Sequence, residues 1–182
     1  MRRAVVCLVV SGLSGAAGAQ INPIGPFTGN AQESFEAQSG TALMCAPNRI
    51  FNNQGDLCTP AGTGVYMTSG WSFTCQIGPH AGGRFCGTGG ATGSGGIDIT
   101  FDMPPQRFGG YFGMNHSGGP DFSVSFYQGA NLVSGPLNVP LAVDCQWHWF
   151  GWDLSGSGVD RIDMASNHTS TCYLHMDDLE AD

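Results

Sequence analysis

The chain has 182 residues, six Lys and Arg against 14 Asp and Glu, a formal net charge of −8, and a hydrophobic share of 41%. Beyond Arg2 and Arg3 the only cations are Arg49, Arg84, Arg107 and Arg161, and there is no lysine. Nothing here forms a basic groove for nucleic acid or a cationic patch for an anionic membrane, so neutral polymers and divalent cations are the partners left open.

Met1-Arg2-Arg3, the short apolar run over residues 4–10 and Ala17-Gly18-Ala19 form the pattern of a secretory signal peptide, residues 1–19, cut before Gln20. The apolar run is too short to span a bilayer, and no later segment is long and apolar enough for membrane insertion. The expectation is a protein secreted to the extracellular space or the periplasm. Cys7 would leave with the leader. Cys45, Cys58, Cys75, Cys86, Cys145 and Cys172 remain, an even number that favours disulfides in an exported chain. Sequence does not choose among the pairings, although the short separations point to 45–58, 75–86 and 145–172. The absence of C-x-x-C argues against a redox site or a zinc ribbon.

Residues 20–30 read as an extended N-terminal arm with two prolines, ahead of a single domain over 31–182. Twenty-nine glycines and ten prolines scattered among short apolar runs, with no long 3.6-residue period, are an all-β signature. Gln32 to Gln38 reads as the first full strand. Short strands follow at 41–45 and 49–51, a turn at 52–56, and strands at 65–67 and 71–77. The glycine-dense stretch 78–96 lacks G-x-G-x-x-G and G-x-x-x-x-G-K-[ST] and reads as a surface loop.

The second half is more regular. Ile97, Ile99, Phe101 and Met103 alternate with polar residues up to Pro104-Pro105. Residues 108–114 form a strand whose glycines permit close approach. Phe122, Val124 and Phe126 alternate with Ser123, Ser125 and Tyr127. Further strands are expected at 132–133, 139–143, 147–152 and 159–164. About ten short strands spaced by turn signals imply a two-sheet antiparallel β-sandwich of jelly-roll type, stapled by disulfides.

In the closing strand, Leu174 and Met176 share one parity and Leu179 has the other, so a regular strand cannot bury all three. A β-bulge at Asp177-Asp178 restores the phase, and two adjacent carboxylates at a bulge suggest a hard-cation site. The most aromatic segment places Trp147 and Trp149 on one strand face and His148, Phe150 and Trp152 on the other. One set is core, and an exposed set would suit stacking on sugar rings. Tyr111, Trp71 and Tyr127 are secondary platform candidates. Catalytic patterns such as G-x-S-x-G and H-E-x-x-H are missing, and the five histidines are dispersed. Asn115-His116-Ser117 and Asn167-His168-Thr169 are N-glycosylation sequons.

An early Ser34-Phe35-Glu36 and a final Asp177-Asp178-Leu179 together resemble secreted bacterial exoproteins of the β-jelly-roll carbohydrate-binding-module type, the galactose-binding-like folds. The resemblance implies first and last strands side by side, with a structural calcium between them. Its acidic ligands would be Glu36 and Asp177 or Asp178, with Glu33 as a less secure extra; calcium takes 6–8 oxygens, carboxylates mixed with carbonyls. The function expected is non-catalytic binding of carbohydrate or another extracellular polymer. A self-assembling surface-layer, matrix or filament protein that adds its N-terminal arm to a neighbour's sheet is the alternative, and a glycoside hydrolase or lyase is a weaker third.

Overall fold

The computed structural model describes residues 20–38, 41–43, 48–59, 63–72, 75–90, 96–115, 121–166 and 174–182. Its strands are β1 (Asn22–Pro23), β2 (Ala31–Glu33), β3 (Thr41–Leu43), β4 (Arg49–Ile50), β5 (Gly55–Cys58), β6 (Thr63–Thr68), β7 (Trp71–Ser72) and β8 (Gln76–Ile77). They continue with β9 (Phe85–Gly90), β10 (Gly96–Phe101), β11 (Arg107–Met114), β12 (Asp121–Gln128), β13 (Asn131–Pro140), β14 (His148–Asp153), β15 (Arg161–Ser166) and β16 (Leu174–Ala181). The eight-stranded sheet runs β1-β14-β11-β16-β9-β6-β3, with β2 also on β16, and the six-stranded sheet runs β13-β12-β15-β10-β5-β4. Every pairing is antiparallel. The strands β7 and β8 form a separate hairpin.

Alternation builds the core between the two sheets. On β11, Phe108, Phe112 and Met114 point inward, and on β12 so do Phe122, Val124 and Phe126. Phe112 meets Phe122 across the gap with ring centroids 5.5 Å apart. The facing inner residues interdigitate as they do in other aligned sandwiches.

The bulge expected in the closing strand is present. The register of β16 against β11 passes from Tyr111↔Asp177 to Gly109↔Glu180, so β16 carries one extra residue. Asp178 takes a φ of 45° there. Leu174, Met176, Leu179 and Ala181 consequently all face the core. Beyond the bulge β2 pairs with residues 179–181, and before it β9 pairs with His175 and Met176. The N-terminal β2 thus lies beside the C-terminal strand, as the resemblance implies, and the bulge falls in the gap between the two partners of β16.

Three expectations change, while the arm keeps its extended form. The strand expected over 32–38 stops at Glu33, because the Glu33 carboxylate accepts hydrogen bonds from the N–H of Phe35 (2.7 Å) and of Phe51 (3.2 Å). These contacts turn the chain, and Phe35 enters the core with φ 60°. The glycine-dense stretch is not all loop, since Phe85–Gly90 is an internal strand between β16 and β6. The arm at 20–30 lies on its own molecule, with β1 paired to β14 and the N–H of Ile24 bonded to the carbonyl of Gly151 at 2.8 Å. The disulfide set also differs. Cys75 is bonded to Cys145, and the partner of Cys58 lies outside the described residues, as do Cys45 and Cys172. Cys86 is free. It points from β9 into the core, and burial pushes its thiol pKa well above the usual range, whereas Cys75 sits in the layer outside the sheet. Among the described residues no other cysteine lies on the face of Cys86.

Candidate functional site

The outer face of the eight-stranded sheet is where aromatic side chains collect. Tyr111 on β11 and Trp149 on β14 are a cross-strand pair pointing outward, their rings edge to face at 5.3 Å. One rung along, Gly109 and Gly151 oppose each other on the same face. A Cβ on Gly109 would lie 2.7 Å from Trp149 Cζ2, and one on Gly151 would lie 3.0 Å from its Nε1. The indole therefore lies down along a floor that only glycines leave open. Its Nε1 donates to the carbonyl of Ile24 (3.3 Å), and Phe27 of the arm lies T-shaped to it with ring centroids 5.7 Å apart. The Arg107 guanidinium covers Phe27 at 4.4 Å and pairs with Asp182.

Beside Tyr111 a polar cleft of about 400 Å³ opens between β2 and the bulge, with Gln32, Asn52, Asp178 and Glu180 among its walls. Its volume falls within the range of small-ligand sites. A second cavity of about 340 Å³, apolar and lined by Phe51, Phe101 and Met103, lies away from the aromatic row. Its rim carboxylates Asp102 and Asp182 already pair with Arg49 and Arg107.

Other candidates sort by face. Trp152 points inward, 5% exposed, with its ring parallel to Phe108 at 6.1 Å. It belongs to the core with Phe150 packed against that core, and it leaves the ligand row. Trp147 and Trp71 sit outside the sheet, where they close over a buried patch. Trp147 donates from Nε1 to the carbonyl of Gly78 (2.9 Å) and meets Phe85 at 5.5 Å. Trp71 covers Gly87 and lies 5.6 Å from the His175 ring. Under them, His175 Nε2 donates to Asn115 Oδ1 (2.9 Å), while the Asn115 amide donates to the carbonyl of Trp71 (3.1 Å). Burial pushes the His175 pKa down to about 3, so the ring is neutral. Asn115 is wholly buried, which makes its sequon incidental to the folded protein; Asn167 lies outside the described residues. Tyr127 stands on the opposite sheet beneath the Arg161 guanidinium, at 4.1 Å.

The four acids assigned to calcium are spoken for by N–H donors. Glu33 holds Phe35 and Phe51, and desolvation raises its pKa. Glu36 accepts from the N–H of Gly83 (2.6 Å) and of Arg84 (2.9 Å). Asp177 is buried and accepts from the N–H of His80 and of Asp178, both at 2.9 Å. Burial, and next the charge of Asp178, push its pKa up to about 7. Asp178 lies 2.7 Å from His80 Nδ1. Among the described residues no three His, Cys, Asp or Glu side chains converge on a point that could hold a metal. Calcium needs several convergent oxygens, and these carboxylates turn theirs toward backbone N–H groups and, for Asp178, toward the His80 ring. The donor set does not fit the ion.

Phe27, His80 and the Gly109–Gly151 floor were not singled out from the sequence. The glycine spacing in β11 was visible, yet nothing told which glycine would face Trp149.

No family model matches the chain, and no curated protein matches it in sequence. Among solved structures, the K2 cleaved adhesin domain of Lys-gingipain is similar at 12% identity and TM-score 0.54, covering 83% of this chain and 98% of that one. The CBM22-1 xylan-binding domain from Paenibacillus barcinonensis Xyn10C is similar at 12% identity and TM-score 0.52, covering 86% of this chain and 97% of that one. At these identities the likeness is one of fold, an antiparallel β-sandwich.

Proposed function

We propose that the chain is a non-catalytic module that binds a neutral polysaccharide outside the cytoplasm, on the outer face of its larger sheet. The observation that carries this reading is Trp149, laid flat on a glycine floor beside Tyr111 and a polar cleft. Flat aromatic surface suits the apolar face of a sugar ring, and the cleft supplies amide and carboxylate groups for its hydroxyls. The leader-like start and the Cys75–Cys145 disulfide support export. Asp178, Glu180 and Glu33 line the cleft, so uronate or sulfated polymers would meet like charge. The fold is shared with a protein described as xylan-binding.

Catalysis has less support. Asp98 and Asp163 are directly opposed across β10 and β15 on the other sheet and hydrogen-bond to each other. Glycosidases hold their carboxyls about 5 Å or more apart around the scissile bond. The arm's self-association has only its extended form behind it, and its ladder goes to β14 of the same chain.

Affinity electrophoresis in gels cast with neutral xylan, glucan, mannan or galactan, with an anionic pectate gel as control, tests the reading. The protein should be retarded in at least one neutral gel and run freely in pectate. Trp149→Ala and Tyr111→Ala should each weaken retardation about tenfold or more while leaving the circular dichroism spectrum intact. Free migration in every neutral gel, or full retardation of Trp149→Ala, would overturn it.

A further inference from the structure

Residues 78–84, Gly-Pro-His-Ala-Gly-Gly-Arg, run outside the larger sheet between β8 and β9 and contribute no rung to either sheet. Side-chain carboxylates hold this loop in place of a strand ladder. Asp177 accepts from the N–H of His80, and Glu36 accepts from the N–H of Gly83 and of Arg84. Asp178 takes the His80 ring at Nδ1. The loop settles where it does because the gap between β2 and β9 along β16 leaves these acids facing outward with no ladder between them.

This anchoring lays the His80 imidazole on Tyr111, with ring centroids 3.6 Å apart and planes 17° apart. Tyr111 is the aromatic residue that joins Trp149 to the polar cleft. A flat ring stacked on it fills the place a sugar ring would take, and it is held by groups other than the platform itself.

We propose that the 78–84 loop is an autoinhibitory lid, with His80 occupying the Tyr111 subsite as an internal competitor that the glycan displaces. The inference rests on the reading of Tyr111 as part of the platform and adds a closed state to it. A site that is open only part of the time shows an affinity reduced by the open fraction, so removing the competitor tightens binding.

Gly82 provides a way to lift the lid without touching the platform. It sits at φ +66°, and a Cβ there would lie 2.3 Å from the Glu36 carboxylate. Two variants, His80→Ala and Gly82→Ala, are compared with the parent in two assays. The first is isothermal titration with an oligosaccharide cut from whichever neutral polymer retards the parent; both variants should bind it about three- to tenfold more tightly. Unchanged binding overturns the lid, and weaker binding overturns it and makes His80 part of the platform. The second needs no glycan. Nitration of Tyr111 by tetranitromethane, followed by peptide mass spectrometry, should proceed several-fold faster in both variants, and unchanged nitration overturns the lid whatever the glycans do. Faster nitration in a protein that binds no polymer shows that His80 covers Tyr111 and refutes the carbohydrate reading together with the competition built on it.

Discussion

Deleting Asp178 tests the claim that one extra residue sets the phase of the last strand. Without it β16 and β11 pair residue for residue, and one half of β16 has to turn over. If the C-terminal half turns, Leu179 (0% exposed) and Ala181 (3%) leave the core and Glu180 is driven in. Burying a leucine is worth roughly 2–3 kcal/mol, and an inward glutamate costs at least as much again. The three-residue ladder to β2 would also lose its register. If the other half turns, Leu174 and Met176 leave the core instead, at a similar cost. Either route removes about 4–6 kcal/mol from a fold whose total stability is of order 5–15 kcal/mol. Asp178→Gly keeps the residue count and suits φ 45° better than aspartate does. It gives up a half-exposed contact with His80, worth at most about 1 kcal/mol, so its net effect should stay within about 1 kcal/mol. Urea denaturation followed by tryptophan fluorescence measures both variants. A deletion variant whose midpoint matches that of Asp178→Gly would refute the parity argument.

Three further outcomes follow from the acids and the free thiol. Burial, and then the neighbouring Asp163, push Asp98 up to about 6, so the folded chain holds that proton to higher pH than the unfolded one. The Asp98 contribution to stability should therefore fall as pH rises from about 4 toward 6 and level off above it, while Asp177, raised to about 7, extends the decline further. Asp98→Asn should flatten this contribution in melting curves taken from pH 4 to 8, and an unchanged slope would count against the pair. Because three of the acids around the bulge are turned to backbone N–H groups and Asp178 to the His80 ring, excess EDTA should leave the melting temperature where it is; a drop of several degrees that calcium restores would reinstate the cation. The Cys86 thiol should stay unreactive to Ellman's reagent in the native protein and react in urea, and prompt labelling without denaturant would contradict its core position.

Legibility in the sequence followed the kind of physics involved. Period-two alternation belongs to a single strand, so β10, β11, β12, β14 and β15 were read within one to three residues of their observed limits, and a parity conflict at Leu179 was enough to locate a bulge. Long-range pairing is a property of two strands at once. The Cys75–Cys145 bond joins residues 70 apart because the cap hairpin and the segment before β14 meet above the sheet, and short sequence separation pointed elsewhere. The strand over 85–90 was hidden because glycine has poor strand propensity by itself. What favours glycine there is Trp71 lying across Gly87, a contact visible only once both are placed.

The acids show the same limit in sharper form. Their residue type and their position near a bulge were both readable, and carboxylates meeting at a sheet gap do call for something to balance them. A cation and a set of backbone N–H groups both answer that demand. Which one does so depends on whether a loop of the right length passes within reach. Gly78 to Arg84 is such a loop: three glycines and a proline bring backbone N–H groups and an imidazole to Glu36, Asp177 and Asp178. The choice between metal and amide was therefore made by residues about a hundred positions upstream of the aspartates. Its consequence is chemical as well as structural, because an amide-bearing loop carries a side chain with it, and that side chain is the ring now stacked on Tyr111.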